Sequence, residues 1–457
     1  MKRIVIAGGG YAGFYAAMGL ERKLKKSDRA EVTLIDPRPY MTYQPFLPEV
    51  LAGSIAPRDA LVSLRKNLPR TQVISGSVVE ISHADKTVVV RPFVGDDYVL
   101  RYDVIVVTAG AVTRMFPVVG LREGAIGLKH VEEAIAIHNR LLASFDRAAG
   151  LPNGRERKRL LTAVVVGGGF TGIEGFGELL SLAASLLPYY PELKLKDLDF
   201  RLVQAANRIM PEVSERTAAR VMKSLERRGA RVHLNTQVVS VVDGHVVLST
   251  GEQFDAHIIV WAAGNGANPV IARHTDLPVD PRGFLVVRAD LRVGTEDLLI
   301  EDAWGAGDDA SVPDISGESP TGRAVPNAQN AVRQGRLLAG NVVASLRGKP
   351  TRQYVHRNLG TLATLGLGRG AFQSGRIGFT GFLAWLIHRA YHLYAIPTAE
   401  RKVRVFVGWC IGALFGRDIV SVEDALHPRA AFVRGGLPRH HSTFLCDEST
   451  TEETVDK

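Results

Sequence analysis

Two glycine-rich turns, far apart in the chain, constrain the fold more than any other feature. Each turn spaces its glycines as G-x-G-x-x-G, after a continuous apolar run and before a helical stretch. The glycines are Gly8, Gly10 and Gly13 in the first turn, and Gly167, Gly169 and Gly172 in the second. An apolar run without alternation is typical of a strand buried on both faces, so each unit predicts strand, turn and helix in a parallel sheet.

This spacing has a physical meaning for ligand binding. The first glycine permits the tight turn, the second lets a pyrophosphate approach the backbone, and the third lets the helix pack close to the strand. The N-terminus of the helix then faces the negative charge. Two such turns with the correct flanks predict two dinucleotide sites in one chain.

The residue at the end of the next strand differs between the two units. Asp36 stands there in the first unit, where a carboxylate would hold a ribose hydroxyl. Gln204 takes this place in the second unit, with Arg208 close behind it. A carboxylate would repel the 2′-phosphate of NADPH, whereas neutral Gln204 does not, and Arg208 could receive the phosphate. NADH and NADPH therefore both stay open as the second dinucleotide.

Further segments bring backbone and polar groups toward the turns. The loop 37–49, rich in proline and tyrosine and containing Gln44 and Pro45, either walls a flat ring or packs as an ordinary loop. Asp308, after a later strand, could hydrogen-bond a sugar-alcohol chain. Strand ends with small residues let backbone come close to a bound cofactor. These small residues are Ala109 and Gly110, Gly264, and Gly307.

Local patterns predict the remaining elements near these segments. A helix within 321–346 starts around Pro326, faces the same region, and carries Gln329 and Arg333. The pattern also predicts a short helix over 55–68 and one continuous strand over 98–107.

Composition excludes several other classes of protein. With 457 residues the chain is too long for one ordinary domain, and an apolar fraction of 46% is ample for two or three cores. The two cysteines, Cys410 and Cys446, exclude a disulfide scaffold and a cysteine-rich metal site. The formal charge is +9 without a nucleic-acid-binding signature, so we assign the excess to anionic cofactors or anionic lipid and expect no nucleic-acid partner. Lys2 and Arg3 run straight into the first strand, so no signal peptide is expected.

Residues 371–416 are unusual for a soluble enzyme. The region contains two apolar, aromatic runs. The first is interrupted at 388–389 and ended by Pro397, and the second covers 405–415. Both are shorter than the ~20 residues that span a bilayer. Helices of this composition lie in a membrane interface, and the alternative is a dimer interface or a lid over the core. Basic residues here could each add about 1 kcal/mol on anionic lipid. They are Arg389, Arg401, Lys402 and Arg404.

Other residues of this region carry simpler expectations. His388 and His392 are one helical turn apart and could ligate a metal, but without a third ligand we expect a solvated helix face and no metal site. Cys410 is expected to be buried in its apolar helix. Residues 428–457 contain an acidic stretch and predict a mostly disordered tail.

The order of these units resembles that of the two-dinucleotide-binding-domain flavoproteins. Within them, the chain resembles the type II NADH dehydrogenases, which are single-chain, non-proton-pumping NADH:quinone oxidoreductases. The matching segments are Gly8–Gly13, Tyr43–Glu49, Thr108–Gly110, Gly167–Glu174, Trp261–Gly264, Gly305–Asp308 and Ala328–Gly335. The resemblance covers about residues 1–425.

We therefore predict an α/β fold with two Rossmann-like dinucleotide-binding domains, the second inserted in the first, and a C-terminal amphipathic helical membrane-association region. The predicted bounds are an FAD-binding domain over 1–118 and 271–346, an NAD(P)H-binding domain over 119–270, the membrane-association region over 347–427, and the tail over 428–457.

The resemblance implies FAD as the cofactor of the first turn. FAD would lie on Gly8–Gly13 and Asp36, with Asp308 on its ribityl chain and the loop with Gln44 and Pro45 near its isoalloxazine.

The resemblance also implies the remaining partners. NADH or NADPH would lie on the second turn, with Glu174 near the nicotinamide and the proton path. Gln329 and Arg333 are candidates to line the entrance for a membrane quinone, either menaquinone or ubiquinone. The expected state is a homodimer bound peripherally to an anionic surface on the cytoplasmic face of the cell membrane.

Two positions depart from the family pattern. Arg333 stands where the quinone-side helix usually has a second glutamine, and Leu359 stands where the family often has a lysine. With Gln204, these changes leave the electron donor and the acceptor open. The alternatives are a soluble NAD(P)H-dependent reductase of a ferredoxin-type protein and a non-enzymatic FAD-bound protein that senses NADH.

Overall fold

The structure is a computed structural model that describes residues 1–317, 319, 321–356 and 360–422. The departure at Leu359 and the predicted disordered tail over 428–457 lie outside the described residues.

The chain first builds a sheet of eight strands. In spatial order they are Arg292–Gly294, Leu299–Gly305, Val104–Val107, Lys2–Ala7, Ala30–Asp36, Thr71–Ser82, Thr87–Pro92 and Tyr98–Arg101. The opening strand lies in the middle, paired in parallel with Ala30–Asp36 on one side and Val104–Val107 on the other. Ile4 and Ile6 are both 0% exposed, as the continuous apolar run predicts for a strand covered on both faces.

A second sheet consists of five parallel strands. In spatial order they are Ile126–Gly127, Ile258–Trp261, Thr162–Val166, Asp199–Val203 and Arg231–His233. A three-stranded antiparallel sheet belongs to the same stretch of chain and contains Val238–Val242, His245–Leu248 and Gln253–Asp255. The first sheet uses strands from before and after this stretch, so the second unit interrupts the first. The predicted α/β fold with two dinucleotide-binding units is confirmed.

The chain crosses between the two units twice at one place. Val112–Thr113 leaves the first unit and pairs antiparallel with Asn265–Gly266, which returns to it. The crossings lie near the predicted domain boundaries at 118 and 270, which stay predictions.

The helices have the following bounds: Tyr11–Lys23, Leu47–Leu51, Leu64–Asn67, Leu121–Gly124, Val131–Ala149, Arg155–Leu160, Phe170–Leu186, Glu215–Glu226, Pro269–Arg273, Ala328–Leu346, Phe382–Ala395 and Ala399–Phe415. Short 3-10 turns are Lys26–Asp28, Gln44–Phe46, Pro57–Ala60, Leu187–Tyr189 and Leu195–Asp197. Two small ladders pair Tyr40–Thr42 with Leu61–Ser63, and Leu285–Val286 with Ala310–Ser311.

Five helices are referred to by name below. They are the first glycine-loop helix (Tyr11–Lys23), the second glycine-loop helix (Phe170–Leu186), the glutamine helix (Ala328–Leu346), the histidine helix (Phe382–Ala395) and the terminal helix (Ala399–Phe415). Within the described chain, the stretch Phe170–Tyr189 is long and apolar enough to cross a membrane, but most of it is buried inside the protein, as in a core helix.

The first glycine-loop helix and the glutamine helix approach each other closely at small residues. A Cβ on Gly335 would lie 2.3 Å from the backbone oxygen of Ala12, so no larger residue fits there without a shift. This contact brings the glutamine helix to the first turn. There, the Gly307 N–H donates a 2.8 Å hydrogen bond to the Gln334 side chain.

The C-terminal region contains a sheet that the sequence analysis missed. Thr361–Thr364, Gly370–Ser374 and Ile377–Gly381 form three antiparallel strands. The first of the two apolar runs within 371–416 therefore includes the strand Ile377–Gly381 ahead of its helix. The turn to the histidine helix occurs at Gly381, where φ is +112°, a value that favours glycine.

Two local predictions were wrong. Residues 55–68 are not one helix, because the segment Leu61–Ser63 pairs as a strand with Tyr40–Thr42. Residues 98–107 are two strands, because the chain changes partner between them. Tyr98–Arg101 pairs antiparallel with Thr87–Pro92, and Val104–Val107 joins the opening strand in parallel.

Candidate functional site

The first glycine turn is closed at its ends and open in its middle. Gly8 has φ +108°, and a Cβ there would lie 2.2 Å from the backbone oxygen of Thr108. A Cβ on Gly13 would lie 1.8 Å from the backbone oxygen of Gly8. Around Gly10, by contrast, a Cβ would meet no atom within 4 Å in the described chain, apart from its immediate neighbours in the sequence. The turn thus needs its outer glycines for packing and leaves the middle one open to a ligand.

The second turn repeats this geometry. Gly167 has φ +115°, and a Cβ on Gly172 would lie 1.9 Å from the Gly167 oxygen. The position of a Cβ on Gly169 is open within the described chain, as at Gly10. In both turns the middle glycine therefore leaves the space that a pyrophosphate needs to approach the backbone.

Asp36 and Gln204 occupy matching places beside the two turns. The Asp36 Oδ2 accepts a 2.6 Å hydrogen bond from the Gly9 N–H, and the Gln204 Oε1 accepts one of 2.8 Å from the Gly168 N–H. Burial raises the pKa of Asp36, against the hydrogen bonds from the N–H groups of Arg38 and Gly9. The side chain that sequence analysis singled out in each unit is thus held next to its own glycine turn.

Arg208 is engaged by its own loop. One guanidinium nitrogen donates 2.6 Å hydrogen bonds to the backbone oxygens of Pro211 and Val213. A phosphate beside Gln204 would have to compete with these carbonyls for Arg208.

A cavity over the first turn collects most of the predicted residues of this site. Its wall includes Gly10, Asp36, Gln44, Ala109, Gly110, Gly307 and Asp308. Pro45 lies in the adjoining 3-10 turn Gln44–Phe46. The strand ends and the loop 37–49 therefore meet at one place, although they are far apart in the sequence.

Two charged residues of this cavity were missed from the sequence. Lys129 lines the wall, and burial lowers its pKa while Asp308 opposes this effect. Asp309 is 0% exposed, and burial raises its pKa to about 7, while the Ala109 N–H donates to its Oδ2 at 2.7 Å. A lone lysine between glycine-rich segments carries no spacing signal that could have identified it.

Glu174 lies on the second glycine-loop helix, against the C-terminal region. Its Oε1 accepts a 3.0 Å hydrogen bond from the Thr364 N–H and lies 3.3 Å from the His388 Nε2. The pKa of Glu174 is raised to about 8, mainly by burial and also by the nearby Glu178, against the lowering effect of the Thr364 hydrogen bond. Burial lowers the pKa of His388 to about 3. Both shifts favour a protonated carboxyl beside a neutral imidazole at neutral pH.

Gln329 and Arg333 lie on the glutamine helix and face tyrosines. Burial raises the pKa of Tyr391, while the nearby Arg333 and Gln329 side chains lower it. Arg333 likewise lowers the pKa of Tyr354, against burial. The two residues therefore meet the histidine helix beside the cavity wall that Ala328 and Ala331 form.

Three expectations for the C-terminal helices were wrong. His388 is 0% exposed and His392 is only partly exposed, so they do not form a solvated face. Cys410 is exposed, because the terminal helix packs only part of its surface on the protein. Arg389 is not free for lipid, because it pairs with buried Glu49 at 2.8 Å.

These features define a class of protein. The family model of the pyridine nucleotide-disulphide oxidoreductases matches residues 2–335, and the chain belongs to this family. The expected resemblance to type II NADH dehydrogenases is also confirmed. The chain is 28% identical over 432 residues to the type II NADH:quinone oxidoreductase Ndh of Mycobacterium tuberculosis, covering 91% of this chain and 89% of the relative.

Two further comparisons agree. The type II NADH:quinone oxidoreductase of Haemophilus influenzae is 28% identical over 387 residues, which is 80% of this chain and 85% of the relative. The solved structure of NDH2 from Plasmodium falciparum in complex with NADH has a TM-score of 0.82 at 18% identity, covering 92% of this chain and 99% of that chain. At this identity the structural likeness supports the fold.

The raised pKa of Glu174 predicts a pH dependence of stability. The folded carboxyl keeps its proton up to about pH 8, whereas the unfolded one loses it near 4.5, so wild-type stability falls as pH rises between these values. In Glu174→Gln this loss is absent. We expect the thermal midpoint of Glu174→Gln, relative to wild type, to rise by several degrees between pH 5 and pH 8.

Glu156→Gln is the control, because the Glu156 side chain is 57% exposed and lies on the protein surface. It should not reproduce the trend. A midpoint difference between wild type and Glu174→Gln that stays constant with pH would contradict the prediction.

Proposed function

We propose that this chain is an FAD-dependent, non-proton-pumping NAD(P)H:quinone oxidoreductase that passes hydride from NAD(P)H to FAD and two electrons to a membrane quinone. The observation that carries the proposal is the pair of glycine turns, each open at its middle glycine, Gly10 and Gly169, within one polypeptide. Similarity to type II NADH:quinone oxidoreductases over about nine-tenths of the chain supports it.

The cavity over the first turn would hold FAD. The residues that would do so are Gly8, Gly10, Gly13, Asp36, Gln44, Pro45, Ala109, Gly110, Gly307 and Asp308. Bound FAD supplies the hydride acceptor, and the protein supplies position and exclusion of water. In this role Asp36 orients a ribose hydroxyl and Asp308 orients the sugar-alcohol chain.

The second turn would hold NADH or NADPH. Its glycines would bind the pyrophosphate, with Gln204 beside the adenosine ribose and Gly264 at the neighbouring strand end. Glu174, near the nicotinamide, would handle a proton. The Gln204 amide can hydrogen-bond a ribose hydroxyl without repelling a phosphate.

The quinone entrance would lie where the glutamine helix meets the histidine helix. Gln329 and Arg333 lie there against Tyr391, which places hydrogen-bonding groups at the edge of an apolar region. Such groups can bind the oxygens of a quinone, while the exposed apolar side chains nearby suit its ring and tail.

The function is tested with purified protein. We expect a yellow preparation with one FAD per chain, and oxidation of NADH or NADPH that depends on a short-chain menaquinone or ubiquinone analogue. The absorbance of the reduced nicotinamide measures turnover. A colourless protein would contradict the proposal. Turnover only with a ferredoxin-type acceptor, or very slow reoxidation by every quinone, would favour the two alternatives instead.

The nucleotide preference depends on the charge at residue 204. In Gln204→Glu, the new carboxylate would repel a 2′-phosphate but could bind ribose hydroxyls. We expect kcat/KM with NADPH to fall about tenfold relative to that with NADH, or ~1.4 kcal/mol. Steady-state kinetics with both nucleotides measure the ratio. Gln237→Glu adds the same charge at an exposed position of the same unit and should leave the ratio unchanged.

We also propose that the C-terminal helices dock on a membrane from the cytoplasmic side. The histidine and terminal helices expose large apolar side chains: Phe382, Leu383, Leu386, Val403, Phe406, Val407, Ile411, Leu414 and Phe415. Such side chains on short helices suit the interface of a bilayer. The basic residues contribute less than expected, because each has a protein partner. The partners are Glu49 for Arg389, Asp59 for Arg401, Glu400 for Arg404 and the Tyr394 oxygen for Lys402.

Membrane docking is tested by replacing two exposed side chains of the terminal helix. Phe406→Glu with Ile411→Glu places two charges in the proposed interface, which costs several kcal/mol. We expect the variant to lose sedimentation with anionic lipid vesicles. Phe93→Glu is the control, because Phe93 is 70% exposed on a distant hairpin. Unchanged sedimentation would contradict docking, and loss of a dimer in light scattering would assign these helices to the predicted homodimer instead.

A further inference from the structure

We propose that Lys129 supplies a positive charge that stabilises the bound flavin once hydride has reached it, and that this charge raises the reduction potential of the flavin. The inference rests on the proposed function. It gives a role to a residue that the sequence analysis missed. The lysine belongs to the second unit but lines the cavity of the first.

The position of Lys129 in the chain places it at the junction of the two units. It follows the strand Ile126–Gly127, at one edge of the five-stranded sheet, and it precedes the helix Val131–Ala149. Its side chain nevertheless lines the cavity over the first turn. Lys129 is therefore a contribution of the NAD(P)H-binding unit to the proposed FAD site.

Hydrogen bonds hold Lys129 between a loop of the first unit and a strand end of the second. The Gln44 Nε2 donates to the Lys129 carbonyl at 3.3 Å, and the Lys129 N–H donates to the Glu133 Oε2 at 2.6 Å. The Lys129 Nζ donates to the Asn265 Oδ1 at 3.1 Å. Asn265 directly follows Gly264, at the strand end next to the second turn. The ammonium group thus lies at the Gln44 end of the cavity, where the proposed flavin ring and nicotinamide would meet.

The ammonium group keeps hydrogen-bonding capacity for a ligand. It carries three N–H donors. Within the described residues it makes one hydrogen bond, to Asn265, and no ion pair within 4.0 Å. A neutral amide could make the same link to Asn265, and burying a cation costs more free energy than burying an amide. The link to Asn265 therefore does not explain why this residue is charged.

Acidic groups near Lys129 favour its charged form. Burial lowers the pKa of Lys129, and Asp308 and Glu133 oppose this effect. Burial raises the pKa of Asp308, and Lys129 in turn opposes that. Asp308 lines the same cavity. The lysine and this aspartate therefore lie close enough to stabilise each other's charge at the cavity wall.

The other cations of the described cavity wall, Arg38 and His130, are compensated by a different acid. Against the effect of burial, a hydrogen bond from Tyr40 and the nearby Arg38 and His130 lower the pKa of Glu132. Arg38 also lies near Asp36, beside the first turn. Lys129 is thus the cation of this wall that lies nearest to charge arriving at the Gln44 end.

The proposed reaction brings negative charge to this end of the cavity. A hydride from NAD(P)H carries two electrons and one hydrogen nucleus to the flavin and leaves NAD(P)⁺ in the second unit. The first cavity therefore gains one negative charge. A fixed cation in a buried site stabilises such a charge without reorganisation. The two electrons and that hydrogen later pass to the quinone, a solvent proton completes the quinol, and the charge leaves the cavity.

The reduction potential of the bound flavin tests the proposal without turnover. Lys129→Met removes the charge and keeps a flexible side chain. We expect the equilibrium between oxidised and reduced flavin to shift at least about tenfold toward the oxidised form, or ~30 mV for a two-electron couple. Anaerobic titration against a dye of known potential, followed at the flavin absorbance, measures the shift.

Further variants separate the charge from the link between the units. Lys129→Arg retains the charge and should restore most of the potential. Asn265→Ala removes the hydrogen-bond partner of the ammonium group but not its charge, so the potential should match wild type. Lys223→Met removes an exposed lysine of the same unit and should also match it. Equal shifts in Lys129→Met and Asn265→Ala would show that the link sets the potential, and would overturn the proposal.

FAD content and the thermal midpoint show that each variant is folded and loaded. Lys129→Gln replaces Lys129→Met if the methionine variant does not retain FAD. If neither neutral variant binds FAD while Lys129→Arg does, the charge serves binding of the oxidised cofactor, and the stated role is wrong.

The outcomes separate this inference from the function on which it rests. If wild type binds FAD and reduces a quinone, and Lys129→Met has the wild-type potential, the inference is wrong and the function stands. If wild type binds FAD but reduces no quinone, a shifted potential in Lys129→Met still supports the role of the lysine, and the proposed function fails. A wild type that binds no FAD contradicts both.

Discussion

Both dinucleotide units depend on one backbone contact, the approach of the third glycine of each turn to the carbonyl of the first. A side chain on Gly13 or Gly172 would lie within 2 Å of that oxygen, so the helix can reach the strand only through glycine. The contact fixes the N-terminus of each glycine-loop helix at the edge where the parallel strands end. Free amide groups and the helix dipole then meet at this edge, which is where an anionic ligand is stabilised. The cavity residues from three other strand ends are arranged around it.

The parts of the site that could be predicted from the sequence are those with local causes. Gln204 and Asp36 lie at a set distance from a glycine turn, and in the structure each accepts a hydrogen bond from the turn beside it. The parts that could not be predicted depend on contacts between distant segments. Lys129 reaches the cavity from a connection with no recognisable spacing. The strand Ile377–Gly381 is a short apolar run, and periodicity alone cannot distinguish such a run from the start of a helix. The segment forms a strand because it pairs antiparallel with Gly370–Ser374.

A buried polar cluster fixes the C-terminal helices on the first unit. Glu49 is 0% exposed and accepts hydrogen bonds from the Arg389 guanidinium at 2.8 Å and the Trp409 indole at 2.9 Å. The guanidinium lies over the rings of Trp385 and Trp409, at 4.3 and 4.6 Å. Burial raises the pKa of Glu49 to about 7, while Arg389 lowers it. One carboxyl of the short helix Leu47–Leu51 therefore joins both C-terminal helices to the first unit, and an arginine that composition assigns to lipid pairs with a buried carboxyl instead.

This cluster explains why the polar side of the histidine helix is not a solvated face. The expectation of a solvated face assigns polar residues to water and apolar residues to the protein interior. This holds for a soluble helix with one buried face. Here the polar side carries His388 into the protein, and Phe382 and Leu386 point outward. Apolar residues on the outer side are favourable if an apolar surface covers them, because both sides of the helix are then buried. Arg389 holds the inner side of this helix against the first unit, and the outer side, with Phe382 and Leu386, faces away from it. An apolar oxidant arriving from that side would then meet the hydrogen-bonding groups of the site without crossing water.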